Sequence, residues 1–276
     1  PPRSTLSPSS AASDVYKRQI SMRMLEMMRL AWRADSYPNE LSGGMQQRLA
    51  LARGLASGSS ILLLDEPLGA LDARLRVELR YKLRELAKGR GLTAIHVTHD
   101  QEEALVVADR ILVLRNGEIQ QEGDPVTIYN EPKSIFVADF VGGANFLEGF
   151  IIEKDGNGSW IQLRGDIRIY APNLEYAVGD RVVVMLREER TRIAKTVRQR
   201  DQNLIRGTIT STSFVGDFTI YEVRLVNGEV VNSKIPTRLD HGRFKVGDRV
   251  FVYMRPEYLR VYPYPRAGLH KELEAI

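Results

Sequence analysis

Apolar positions recur along this chain at two different spacings, and the change from one to the other divides it near residue 142. Before that point they fall at helical spacing or in short uninterrupted runs. Met24, Leu25 and Met28 mark a core helix over residues 20–33, and residues 46–56 read as a second helix behind Ser42, a good N-cap. Residues 60–64 and 93–98 are short apolar runs, as expected of parallel strands buried on both faces. Between them Leu75, Leu79, Leu83 and Leu86 form the core stripe of a helix capped by Asp72, with Glu78 and Lys82 as an i,i+4 pair of favourable polarity. Residues 111–114, Asn116-Gly117 and Glu118-Ile119 predict a hairpin with a type I′ turn. Asp124-Pro125 then starts a helix that Pro132 ends, and a Phe/Val stripe from Phe136 to Val141 docks a connecting helix.

Beyond residue 143 the pattern becomes alternating, with turn residues between short strands. Val178-Gly179-Asp180-Arg181-Val182-Val183-Val184, followed by Arg187, Glu189 and Arg192, reappears as Val246-Gly247-Asp248-Arg249-Val250-Phe251-Val252, followed by Arg255, Glu257 and Arg260, at a constant offset of 68 residues. Each copy reads as a Gly-Asp turn, a strand, a second turn and a second strand. Such repeats predict small β-barrels, most simply OB-like. Residues 265–276 read as a polar, frayed terminus.

Composition adds bounds. A chain of 276 residues with 43% hydrophobic content suits two domains. No apolar run approaches the ~18 residues that span a bilayer. The absence of cysteine excludes disulfides and thiolate metal sites. A formal net charge of +4 hints at a polyanionic partner, but Arg3, Lys17 and Arg18 against Asp14 supply about half of it. Tyr253, Tyr258, Tyr262 and Tyr264 near Arg255, Arg260 and Arg266 have the ingredients of a nucleic-acid surface. Packed barrel residues and solvated charges explain them more cheaply, and no nucleic acid is expected as partner.

Four short stretches carry the chemistry: Leu41-Ser42-Gly43-Gly44-Met45, the strand ending in Asp65-Glu66-Pro67, Gly69-Ala70-Leu71-Asp72, and Val97-Thr98-His99-Asp100. Ser42 with two glycines before a helix offers free backbone N–H groups, suited to an anion; Ser-Gly-Gly alone favours an ordinary capped helix, and the motifs that follow it reverse that reading. Asp65 and Glu66 stand at the carboxyl end of a strand, where open α/β sheets bind ligands, and adjacent carboxylates there suit a cation or a reaction. His96 lies inside its strand and reads as a packing residue, whereas His99 ends the strand beside Asp100.

In this order the four stretches resemble the second half of an ABC-transporter ATPase. The fold class is then α/β: a partial P-loop NTPase (ABC ATPase) domain over residues 20–142, followed by an all-β, OB-like TOBE domain over 143–264. The resemblance makes Ser42, Gly43 and Gly44 the signature contact to ATP and Asp72 the D-loop aspartate at a dimer seam. It makes Asp65 the Mg²⁺ residue, Glu66 the group that orients and deprotonates the attacking water, and His99 the sensor of the γ-phosphate. Met45 departs from the usual glutamine, so any polar contact from that side chain is lost. Asp100-Gln101-Glu102-Glu103-Ala104, Gly123-Asp124-Pro125, Ile128-Tyr129, Glu131-Pro132 and the run from Phe136 to Gly142 resemble importer ATPases for polyamines, iron or sugars. Implied partners are a second ATPase subunit, two transmembrane permeases and, indirectly, an extracytoplasmic solute-binding protein. The implied location is peripheral, on the cytoplasmic face of the cell membrane. A soluble ABC ATPase of nucleic-acid maintenance or translation, and a non-catalytic regulatory module, are the alternatives.

No Gly-Lys dipeptide occurs in the chain, so the phosphate loop Gly-x-x-x-x-Gly-Lys-Ser/Thr is missing. The stretch from Ser9 to Gln19 resembles, in frame, the translation of an adapter used in transposon-based sequencing libraries, and Pro1 to Thr5 the flow-cell end of the same DNA. Residues 1–19 are therefore expected to be non-native and disordered, the gene fragment truncated, and the chain alone inactive.

Overall fold

The computed structural model describes residues 8–172, 175–196, 203–240 and 243–274. The chain forms two compact units, Pro1–Ile111 with Gly123–Val126 and Leu112–Glu122 with Thr127–Ile276. The division thus falls earlier than residue 142. Residues 112–122 of the hairpin and the segment from Thr127 belong with the β-rich unit, where Ile135 and Ala138 bury themselves against its strands.

In the first unit α1 (Pro8–Met27) leads into two short 3-10 turns, then α2 (Gly43–Ala56), β1 (Ile61–Asp65), α3 (Ala73–Arg90), β2 (Thr93–Val97) and α4 (Gln101–Val107). The expected disorder of residues 1–19 gives way to helix from Pro8; residues 1–7 lie outside the described ones. Met24 and Met28 are packed in the core, and each residue added upstream of a formed helix gains one hydrogen bond at little cost. Residues 14–19 stay exposed, so that extension buries nothing. The helix stops at Met27 rather than residue 33, where Arg29 turns the chain with φ of 54°.

The core of this unit is helical: Met24 from α1 and Met28 just after it, Leu51, Ala52 and Leu55 from α2, and Leu75, Leu79 and Leu83 from α3. β1 and β2 pair in parallel from Ile61↔Thr93 to Asp65↔Val97. Leu62 and Leu64 pack against the helices, but the expected burial on both faces is not found. Ile61, Leu63, Ile95 and Val97 share the other face and are 57–73% exposed. With two strands and helices on one side only, nothing among the described residues covers it.

In the second unit β3 (Ile111–Arg115) and β4 (Glu118–Gly123) form the predicted hairpin, with Asn116 and Gly117 at φ of 53° and 79° as a type I′ turn requires. α5 (Pro125–Asn130) and α6 (Ile135–Phe140) follow, started by Asp124-Pro125 and by Ser134, whose hydroxyl accepts from Val137 N–H. Two five-stranded antiparallel sheets come next. The strands are β5 (Ala144–Lys154), β6 (Gly158–Leu163), β7 (Arg168–Pro172), β8 (Arg181–Arg187), β9 (Arg192–Ala194), β10 (Leu204–Phe214), β11 (Phe218–Leu225), β12 (Val230–Pro236), β13 (Arg249–Tyr253) and β14 (Arg260–Pro263). Short helices α7 (Thr237–Asp240) and α8 (Leu269–Glu274) complete the unit.

The 68-residue echo is a structural repeat with an exchange. The first sheet runs β14-β8-β5-β6-β7 and the second β12-β11-β10-β13-β9, so each repeat lends its last strand to the sheet of the other. The Gly-Asp turns are equivalent: Asp180 accepts from Ala177 N–H at 2.8 Å and Asp248 from Lys245 N–H at 2.9 Å. Inner faces of both sheets share one core including Ile151, Val182, Ile209, Tyr221 and Val250.

Two buried asparagines lock the halves. Asn145, at the start of β5, donates to the Asn232 carbonyl at 2.8 Å and accepts from Asn232 N–H at 2.7 Å on the far sheet. Asn203, entering β10, donates to the Tyr170 carbonyl at 2.7 Å and accepts from Tyr170 N–H at 2.6 Å in the reciprocal sense.

The end of the chain departs from expectation. Residues 269–274 are helical rather than frayed, because Leu269 and Leu273 pack beside Tyr262 and Glu272 bonds Arg115 at 2.6 Å. Tyr262 is itself buried and donates to the Pro132 carbonyl at 2.8 Å, so it presents no stacking surface.

Replacing Asn145 or Asn203 by Ala leaves two backbone groups of the opposite sheet buried and unpaired. Each change is expected to cost about 2–3 kcal/mol, read from denaturant unfolding of the chain. Less than about 0.5 kcal/mol at both positions would show that water replaces these amides and that they do not lock the halves.

Candidate functional site

Parallel pairing sends the carboxyl ends of β1 and β2 to the same edge, and the chemistry gathers there. Asp65 ends β1. Glu66 follows with φ of 42°, a left-handed conformation disfavoured for a residue with a side chain. Three hydrogen bonds hold it. Its N–H donates to the Val97 carbonyl at 2.9 Å, and its carbonyl accepts from Gly69 N–H at 3.2 Å and from Gln47 Nε2 at 2.6 Å. The other end of the Gln47 amide accepts from Ala70 N–H at 2.9 Å. One α2 side chain therefore fixes both ends of the turn after β1.

Gly44 adds a steric reason for the glycine pair, since a Cβ there would lie 2.9 Å from the Ala70 carbonyl oxygen. The same construction at Gly43 meets nothing within 4 Å, so its backbone faces open space. Ser42 takes the extended N-cap conformation, yet its hydroxyl makes no capping bond, which corrects the expected capping role. Met45 packs partly buried against the helical core. Its apolar side chain is thus used where the usual glutamine would be polar.

His99 Nδ1 donates to Glu66 Oε1 at 2.9 Å, with both side chains more than half exposed. That hydrogen bond, and next the Glu66 charge, raise the His99 pKa above its ordinary value against a smaller opposing effect of burial. Asp100 caps α4 by accepting from Glu103 N–H at 2.9 Å. Burial works against its ionised form, but that bond and Arg80 and Arg76, at 2.6 and 3.5 Å, together hold its pKa below the ordinary carboxylate value. Thr98 Oγ1 accepts from Asp100 N–H and donates to Glu103 Oε2, each at 3.0 Å. His96 lies 2.6 Å from the buried Glu103 with its side chain only 12% exposed, in keeping with a packing residue. Asp72 caps α3 through Leu75 N–H at 2.9 Å, and Arg76 bonds the carbonyls of Gly69 and Leu71 at 3.3 and 3.1 Å.

Glu66 and His99 are therefore joined directly, with Asp65 beside them. Ser42, Gly43 and Gly44 reach this pair only through Gln47 and the Gly69-Ala70 backbone. Sequence reading passed over Gln47, Arg76, Arg80 and Glu103 as supports. Glu103 carried a signal, being a carboxylate at the first turn of a helix, but nothing in the sequence showed that it would be 2% exposed.

A family model for the ABC transporter matches residues 3–69, and a model for the TOBE domain matches residues 184–261. The chain is 41% identical over 244 residues to "Spermidine/putrescine import ATP-binding protein PotA 2" of Pseudomonas aeruginosa, covering 86% of this chain and 67% of that protein. It is 38% identical over 249 residues to the like-named PotA of Nitrosospira multiformis, covering 88% and 68%. It thus spans about two thirds of the length of these relatives. Among solved structures, the dimeric ABC transporter cassette MJ0796 is 36% identical with a TM-score of 0.38, over 45% of this chain and 51% of that one.

Glu66→Gln is expected to lower the His99 pKa, read from the pH dependence of its imidazole ¹H–¹³C signals. Because the folded pKa is raised, the charged contact is complete below the ordinary histidine pKa of ~6.5 and is lost as pH rises through the raised value. Identical titration curves for the two proteins would remove Glu66 as the cause.

Proposed function

We propose, for a chain that belongs to the ATP-binding proteins of ABC importers with a C-terminal TOBE region, that it serves polyamine import and that its hydrolytic centre is the Glu66–His99 pair. Family membership makes it a transport ATPase. The hydrogen bond between Glu66 and His99, from the ends of two neighbouring strands, is the observation that carries the residue assignment.

Glu66 holds a carboxylate oxygen at the sheet edge, where it orients a water molecule and takes its proton. His99 fixes the other oxygen and presents its second ring nitrogen outward. A strained but over-determined backbone keeps the carboxylate from swinging away, which matters because phosphoryl transfer depends chiefly on positioning. The donors present fit Mg²⁺-bound ATP. Asp65 is an exposed carboxylate at the strand end, and Mg²⁺ is usually held by one or two carboxylates together with phosphate oxygens and water. Ser42 keeps its hydroxyl free of a cap, and the N-terminal N–H groups of α2 beside Gly43 favour a phosphate. Bound Mg-ATP supplies the phosphoryl group whose transfer to water powers transport.

Asp72 and Ala70 lie on the loop that touches Gly44, so closure of two subunits over ATP would be felt in both motifs. The partners proposed are a second copy, two permeases and a solute-binding protein, at the cytoplasmic face of the membrane. Polyamine is the favoured solute because the relatives named above carry that substrate in their names. Uptake of labelled spermidine by the reconstituted transporter tests it; uptake of ferric iron or sugar instead would reject it.

The chain has no Gly-Lys dipeptide, and no steady-state ATP hydrolysis is expected from residues 20–276 alone. Robust Glu66-dependent turnover by that polypeptide would reject this. In a longer form that supplies a phosphate loop, Glu66→Gln is expected to lower turnover by about 10²–10³-fold while ATP binding persists. Unchanged turnover would overturn the assignment of the carboxylate. Ser42→Arg is expected to abolish ATP-dependent dimerisation measured by size exclusion, with each monomer still folded.

A further inference from the structure

The two halves of the β-rich unit place equivalent residues on the same outward grid and then use that grid differently. In the first half, Phe146, Glu148 and Phe150 of β5 stand opposite Met185, Val183 and Arg181 of β8, and Arg260 and Tyr262 of β14 stand beyond them. In the second half, Leu204, Arg206 and Thr208 of β10 stand opposite Tyr253, Phe251 and Arg249 of β13, and Arg192 and Ala194 of β9 stand beyond. The first grid is roofed: Val183, Met185 and Tyr262 are buried against Ile135, Ala138 and Leu269 of α6 and α8. Among the described residues no helix roofs the second. Phe251 and Tyr253 take the places of Val183 and Met185, and they remain half-exposed.

The charges differ in the same direction. Glu148 bonds Arg181 at 2.7 Å, and Tyr264 packs its ring 3.6 Å from that guanidinium. At the equivalent places the second half has Arg206 and Arg249, so the carboxylate of the pair has become a second cation. Arg224, also opposite Thr208, and Arg192, opposite Tyr253, extend the group to four exposed arginines on one face. None of the four has an ion-pair partner among the described residues; Glu222, the nearby carboxylate, bonds Thr210. Arginines gathered on one face make a positive potential that an external anion would relieve.

We propose that this outward face of β9, β10, β11 and β13 is a docking surface for a carboxylate-rich segment of another protein. Arginine supplies most of its positive charge, and the guanidinium fork matches carboxylates in bidentate fashion. Arginine beside Phe and Tyr, without exposed lysine between them, is the composition of a protein-binding hot spot. Single-stranded nucleic acid fits less well. Its bases need free ring faces, whereas Phe251 and Tyr253 are only half-exposed and Arg206 already stands 6.0 Å from the Phe251 centroid. The proposal does not rest on ATP hydrolysis.

Labelled poly-L-glutamate is the probe, with fluorescence anisotropy on the 276-residue chain at low ionic strength. Saturable binding that weakens with salt is expected, reduced about tenfold by Arg206→Glu and by Arg249→Glu but not by Arg74→Glu on α3. Arg206→Glu restores the carboxylate that the first half carries, so its melting temperature should match or exceed the parent's, which separates lost binding from lost fold. Equal binding by the parent and both sheet variants would overturn the proposal. So would tighter, Arg206-dependent binding of oligo-dT or of anionic phosphatidylserine vesicles, which would assign the face to nucleic acid or to membrane.

Discussion

The parallel ladder between β1 and β2 sets the geometry on which the site depends. Because the strands run the same way and Asp65 pairs with Val97, the residues after both strands emerge at one edge, and Glu66 and His99 meet there. A register slip of one residue would turn every side chain to the opposite face and separate the pair. The ladder is reinforced where it ends: the Glu66 N–H continues it by one bond to Val97, and Gln47 clamps the turn that follows. Behind it, Arg80 of α3 and Glu103 of α4 fix the loop that carries His99 through bonds to Asp100 and Thr98.

The β-rich unit solves a different problem with similar economy. A small five-stranded sheet has two edges and a limited core. Here the exchange of β9 and β14 gives each sheet an outer strand from the other repeat. The asparagine pair then carries the backbone ladder from one sheet to the other. Near symmetry leaves room for difference: the shared inner faces are mainly apolar, and the outer faces have diverged into a helix-covered wall and an arginine-bearing one.

Local patterns were the legible part. The cap at Asp72, the Asn116-Gly117 turn, the helix started by Asp124-Pro125 and the repeat were all written in neighbouring residues. Long-range consequences were not. The repeat announces two equivalent strand pairs, but no local rule says that β9 will leave its own copy. Apolar runs at β1 and β2 read as doubly buried, yet burial depends on what else is present to cover them. Leu269 and Leu273 were concealed in a polar terminal segment, since two leucines four apart make a helix face only when something receives them. Ser42 was placed correctly as the residue before α2, while the use of its hydroxyl is a matter of competing partners that sequence does not rank.

Strand exchange also constrains the order in which the protein can be made. A ribosome releases β5 to β8 well before β14, but the first sheet lacks an outer strand until residues 260–263 emerge. Neither repeat can finish folding by itself during synthesis, so the first sheet waits with an open edge until β14 emerges. A stop codon just before residue 260 would therefore strip β8 of its outer partner, some 75 positions upstream of the lesion.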